Sequence, residues 1–199
     1  MISAGGVAVV ELPRPRAMSV KSASWTEAEL VAACRAGRRD GFDELARRYY
    51  ERLLRLASVM ARRENAADIV QETFLAAVRA LPRFRGESQL STWLISILRN
   101  QVSLQRRAQQ RWPASMAPVE EQHRAAPEPD GSGARLQEIF ERMKELPEEL
   151  RTPLALFHLE GLPYQEIARV MDCPIGTVRS RLFEARERLR LMMTGTGGA

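Results

Sequence analysis

Apolar residues recur at three- and four-residue steps along most of this chain, the spacing of helix faces turned toward a core. The series Phe42, Leu45, Tyr49, Leu53 and Leu56 predicts a long helix from about Phe42. Residues Ala66 to Leu81 predict another, with Ile69, Phe74, Ala77 and Val78 on its buried side and Pro82 as its stop. Upstream, Trp25-Thr26-Glu27-Ala28-Glu29-Leu30 has the form of a capping box, with Thr26 at the N-cap and Glu29 at N3. Trp25 and Leu30 stand where a hydrophobic staple would close over it. After the turn-forming Arg85-Gly86-Glu87-Ser88, a fourth helix begins near Ser91 and carries Trp93, Leu94, Ile97 and Leu98. Trp93 shares helical spacing with Ile97 and is read as core rather than as a stacking platform. No segment alternates as a strand would.

The pattern breaks at residues 108 to 133, which hold four prolines, two glycines and almost no large apolar residues, as linkers do. Helical spacing resumes from Leu136 through Leu146, Leu150, Leu154 and Leu159. The expected architecture is all-α, with two small helical domains at 24 to 107 and 134 to 193 on a flexible joint. Residues 1 to 23 and 194 to 199 read as disordered tails, with Met18 as an alternative start.

Within the second domain, residues 162 to 191 divide into two helices. The first runs from about Tyr164 to Met171, with Ile167, Ala168 and Met171 inward; small Ala168 permits a close crossing. Asp172 and Cys173 make the corner, where Asp tolerates a left-handed backbone. Pro174 suits the first position of the next helix, whose N–H would be unpaired anyway. That helix lines up Val178, Leu182, Ala185 and Leu189 and leaves Arg179, Ser180, Arg181, Phe183, Glu184 and Arg186 outside or on the flanks. A helix-turn-helix has this form, its second helix offering its N-terminal turns to the major groove. A plain helical hairpin with a solvated charged face would share the bare two-helix pattern; the compact turn and the arginines at the second helix's start favour DNA.

Charge sharpens the picture. Net charge is +5 over 199 residues, and of 30 basic residues only Lys21 and Lys144 are lysines, leaving 28 arginines. Codon bias explains the total as well as function does. Placement separates the two. Residues 83 to 107 carry a net +4, residues 175 to 190 a net +3, and the joint from 113 to 133 a net −3. Two basic lobes on an acidic strap suit two contacts with one polyanion.

Other chemistry is thin. Cys34 and Cys173 lie far apart and the only histidines are His123 and His158, so neither a zinc site nor a disulfide framework is expected, and a reducing cytoplasm fits. No apolar run reaches membrane-spanning length, and the start lacks the basic head and apolar length of a secretion signal. P-loop, HExxH, GxSxG and dinucleotide motifs are missing, which argues against an enzyme with a bound cofactor, metal or small-molecule substrate.

Two stretches resemble a family. "LPEELRTPLALFHLEGLPYQEIARVMDCPIGTVRSRLFEARERL" resembles domain four of the extracytoplasmic-function group of bacterial sigma-70 factors. "NAADIVQETFLAAVRALPRFRGESQLSTWLISILRNQV" resembles domain two of that group. The likeness spans about residues 25 to 193 and is nearest the envelope-stress subgroup. It implies a non-catalytic specificity subunit that binds core RNA polymerase through its β′ clamp and β subunits, reads −35 and −10 promoter elements, and is restrained by an anti-sigma factor. An autonomous helix-turn-helix regulator is the alternative, but it leaves the first domain without a task.

The resemblance also assigns residues. Asp68, Gln71, Glu72 and Arg79 fall on the helix that docks on the clamp. The −10 reader is the loop and helix from Phe84 to Asn100, with Ser88, Gln89 and Asn100 at base edges of a flipped nucleotide. Arg83, Arg85, Arg106 and Arg107 are its backbone contacts. For the −35 element Arg179, Ser180 and Phe183 read or line the groove, and Arg181 and Arg186 meet the backbone. Phe157 and Glu184 depart from the envelope-stress pattern, which has arginine at both places; Glu184 could accept from a cytosine amino group. The acidic linker would thread the polymerase cleft. Relaxed, its 26 residues span about 28 Å and fully extended about 85 Å, against about 35 to 70 Å between groove sites one or two turns apart.

Overall fold

The computed structural model describes residues 25–61, 66–111 and 131–194. Most of the acidic strap, the N-terminal tail and residues 195 to 199 lie outside them, while Thr194, expected in the C-terminal tail, ends a helix. Eight α-helices make up the described residues: α1 (Glu27–Arg35), α2 (Arg39–Met60), α3 (Ala66–Ala80), α4 (Leu90–Arg111), α5 (Gly131–Glu145), α6 (Glu148–His158), α7 (Tyr164–Met171) and α8 (Ile175–Thr194). A 3₁₀ turn at Leu81–Arg83 takes up Pro82 after α3. Helices α4 and α5 each run into the stretch that composition marks as linker.

The capping box forms as expected. Thr26 N–H donates to the Glu29 carboxylate at 2.8 Å and Glu29 N–H to the Thr26 hydroxyl at 3.2 Å. The Thr26 N–H bond, with a second from the Thr26 hydroxyl at 2.8 Å, holds the Glu29 carboxyl below its ordinary range. Helices α1 and α2 cross tightly because Gly41 has no side chain. A Cβ there would stand 2.9 Å from Ala33 Cβ and 3.0 Å from the Cys34 backbone nitrogen. Gly41→Ala should therefore lower the thermal midpoint, since overpacking against backbone outweighs the gain in helix propensity by about 1–2 kcal/mol.

In the first half, α1 to α4 surround a core that includes Leu30, Leu45, Leu53, Leu56, Leu94 and Leu98, all almost fully buried. Trp93 packs half-buried against Phe84 at 5.0 Å between ring centroids, on the core side as its spacing predicts. Phe42 and Phe74 are only half-buried, and Val78 is 40% exposed, so it is not a core residue. At about 100° per residue Val78 falls well off the stripe of Ile69, Val70, Thr73 and Ala77 that meets the neighbouring helices.

In the second half, α6, α7 and α8 pack around Leu154, Leu156, Ile167, Val178 and Leu182. The corner between α7 and α8 has the expected left-handed Asp172, at φ 50°, with Cys173 N–H closing on the Ala168 carbonyl. Pro174 sits one residue earlier than expected. Helix α8 starts at Ile175, and the Pro174 carbonyl accepts from Thr177 and Val178 N–H, so Pro174 fills the capping position rather than the first turn.

The two halves pack together: α2 lies on α6, and α4 lies on α7. Arg52 pairs with Glu160, whose side chain is almost wholly buried, and Arg106 pairs with Glu148. Arg151 is 3% exposed on α6 and donates to the Lys144, Leu146 and Met60 carbonyls.

Candidate nucleic-acid interface

Helix α8 turns its apolar stripe inward and leaves the opposite side open. Val178, Leu182 and Ala185 are buried, while Arg179, Ser180, Phe183, Glu184 and Arg186 are exposed. Phe183 is 69% exposed on the outer side of the helix. Among the described residues, the Arg179 side chain makes no ion pair or hydrogen bond, so its guanidinium donors are open. Ser180 spends its hydroxyl proton on the Thr177 carbonyl at 3.0 Å and keeps lone pairs free.

Two residues behave differently from a flat reading of the face. Arg181 is half-buried and turned back toward the Cys173 sulfur at 3.9 Å, where it braces the corner. Glu184 pairs with Arg188 at 2.7 Å, one turn on, so its acceptor oxygens already have a partner.

Arg186 leans over the ring of Phe157 with 5.0 Å between guanidinium carbon and centroid. The ring is flanked by Tyr164 and, edge-on, by His158. Burial and the Arg186 charge push His158 below its ordinary pKa, so its neutral form is favoured. Gly161, at φ +64°, takes the left-handed turn that ends α6 and swings Tyr164 back onto Phe157.

The loop before α4 is held from outside itself. Arg35 on α1 donates to the Leu81 carbonyl at 3.5 Å and to that of Phe84. Glu27 accepts from Leu90 N–H at 2.9 Å, supplying the start of α4 with a cap it lacks locally. Between these anchors Gly86 adopts φ +74°, a backbone that side chains rarely take. Arg83, Arg85 and Gln89 are exposed, Ser88 is half-buried, and Arg85 is 3.8 Å from Glu87. On α4, Asn100 and Arg107 lie two turns apart on one exposed face, about 100° from Arg106, which the second half engages through Glu148.

A third surface lies on α3. Asp68, Gln71, Glu72 and Arg79 are all exposed and fall within about 100° of arc opposite the buried stripe. Half-buried Leu75 lies among them and exposed Val78 at their edge. Those two apolar residues were not legible as surface, because spacing alone gives no reason to separate Val78 from Phe74. An acidic-polar face with apolar residues beside it suits a protein better than DNA. Among the described residues there is no cluster of potential metal ligands and no helix long and apolar enough to cross a membrane.

These features define an all-α protein with a helix-turn-helix, whose second helix bears exposed arginines, and a separate acidic-polar face on α3. The comparisons narrow the class. The Sigma-70 region 2 family model matches residues 45–112 and the Sigma-70, region 4 model residues 136–189. The ECF RNA polymerase sigma-E factor of Haemophilus influenzae is 37% identical over 176 residues, covering 82% of this chain and 93% of that one. The sigma-E factor of Escherichia coli (strain K12) is 37% identical over 180 residues, covering 82% and 92%. Among solved structures, the sigma factor RpoE in complex with the anti-sigma factor NepR from Bartonella quintana superposes with a TM-score of 0.64 at 26% identity, covering 77% and 96%. The chain belongs to the extracytoplasmic-function group of the sigma-70 family.

Proposed function

We infer that this chain is an RNA polymerase sigma factor: it binds core polymerase, recognises −35 and −10 promoter elements and directs transcription initiation. The observation that carries this is its 37% identity to sigma-E factors across 82% of its length, with both sigma regions matched in order. It acts in the cytoplasm, contributes no catalytic group of its own, and has an anti-sigma factor as a partner.

The surfaces divide the work. The α3 face of Asp68, Gln71, Glu72 and Arg79, joined by Leu75 and Val78, docks on the β′ clamp. The loop around Gly86, with Ser88 and Gln89, and the α4 face of Asn100 and Arg107 take the −10 element, Arg83 and Arg85 contacting its backbone. Arg106 joins them once Glu148 releases it. Arg179, Ser180 and Phe183 read the −35 element, with Arg186 beside them on the backbone. The domain units remain 24 to 107 and 134 to 193 in this reading, and the acidic strap is stretched between them when both elements are bound.

Run-off transcription with bacterial core polymerase tests the assignment. Transcripts should depend on both proteins and on intact −35 and −10 elements. Asp68→Ala should weaken core binding about tenfold, the effect of losing one central interface residue, without altering α8. No stable assembly with core polymerase would end this reading, however well α8 bound an operator.

A further inference from the structure

The arginines of α8 are not equivalent. Arg188 and Arg190 are paired with Glu184 and Glu187, and Arg181 is tucked against the corner. Arg186 has no carboxylate partner among the described residues; the ring of Phe157 lies under it instead. The difference matters for what the guanidinium has left to offer. A carboxylate uses up its N–H donors and cancels its charge. A ring offers no oxygen to take up those N–H donors and no opposite charge to cancel, so both stay available to another acceptor.

The platform itself is built. Phe157 sits in the last turn of α6, half-buried, with Tyr164 at 5.4 Å on one side and His158 edge-on at 5.0 Å. Helix α6 packs on α8, so ring and guanidinium are fixed to the same core. Arg186 is seven residues beyond Arg179, about two turns along α8 and only about 20° around it. A helix that enters the major groove with Arg179 therefore brings Arg186, on the same flank, to the groove wall where the phosphates run.

We propose that Phe157 is a positioning residue for promoter binding: its ring holds the Arg186 guanidinium extended and edge-on to a phosphate beside the −35 element. This rests on the −35 reading of α8. By resemblance to envelope-stress factors, arginine is expected at the place of Phe157. An aromatic there supplies no phosphate contact itself but orders a neighbouring arginine that does, which lowers the conformational freedom lost on binding.

A double-mutant cycle with reconstituted holoenzyme on a promoter fragment tests this, with affinity measured across a series of salt concentrations. Phe157→Leu keeps apolar bulk but removes the ring, and should weaken binding about three- to tenfold. Arg186→Gln should weaken it at least as much and flatten the slope of log affinity against log salt by about 0.9, one phosphate contact. In the double variant the leucine should add nothing further. Phe157→Trp, a stronger platform, should bind at least as well as wild type, and only while Arg186 is present.

Losses that multiply in the double variant, an unchanged salt slope for Arg186→Gln, or a tryptophan variant that behaves like the leucine one would each overturn the proposal. The same fragment with a scrambled −35 element separates the two levels. Wild-type holoenzyme indifferent to scrambling overturns the −35 assignment and the platform with it. Sensitivity to scrambling with an additive cycle overturns the platform alone.

Discussion

Arg179→Ala is expected to remove most of the base preference at one −35 position, a loss of about 1–3 kcal/mol or roughly ten- to a hundredfold in discrimination. The reason is local. Arg179 is the fifth residue of α8, in the turns that the proposed −35 reading brings to the groove first, and it stands exposed beside a buried Val178 that fixes the helix's roll. No internal partner must be given up before its fork meets a guanine O6 and N7. Holoenzyme assembly should be unchanged, because α3 lies in the other half. Arg179→Lys separates charge from geometry: a lysine keeps the salt dependence but has no rigid fork, so discrimination should fall while non-specific affinity persists. Binding of holoenzyme to fragments substituted one base pair at a time across the −35 element measures this. Equal affinity profiles for wild type and Arg179→Ala would remove Arg179 from the reader.

How far the sequence reached follows from the range of the forces involved. The Thr26–Glu29 box and the Asp172 corner were legible because each is closed by residues within five positions of one another. The open side of α8 was legible because one stripe of four apolar residues leaves only one way to roll it. Contacts set by tertiary packing were not. Glu27 and Arg35 carry no sign that they anchor a loop some fifty to sixty residues downstream, yet without them the segment around Gly86 has few bonds of its own. Phe157 read as a missing arginine, since a cation lying over it comes from another helix. Val78 read as core because spacing marks a helix's apolar residues without saying which neighbours exist to cover them.

The joint between the halves was equally invisible, and Arg151 is where it is most exposed to test. Its guanidinium donates to the Met60 carbonyl at 2.7 Å, at the end of α2, and to the Lys144 and Leu146 carbonyls at 2.9 and 3.4 Å, at the end of α5. Met60 and Lys144 lie in the last turns of their helices, whose carbonyls have no intrahelical partner and carry the negative end of the helix dipole. One buried cation thus caps two helices from two different halves. Arg151→Met fills much of the space but supplies no donor, leaving those carbonyls facing an apolar chain. Charged hydrogen bonds of this kind are worth about 1.5–3 kcal/mol each and do not simply add, so a loss of about 3 kcal/mol is expected. For a chain of this length that lowers the thermal midpoint by about 6–12 °C. Arg151→Lys, with charge but a single donor head, should fall between the two. The measurement is denaturation followed by one probe in each half: the fluorescence of Trp25 and Trp93 in a Trp112→Phe background for the first, and a label on α8 for the second. Wild type should melt as one unit, and Arg151→Met should let the probes part, because the cap that spans both halves is gone while the ion pairs of Arg52 and Arg106 remain. A methionine variant as stable as wild type, with coincident probes, would show that the helix ends are satisfied without it.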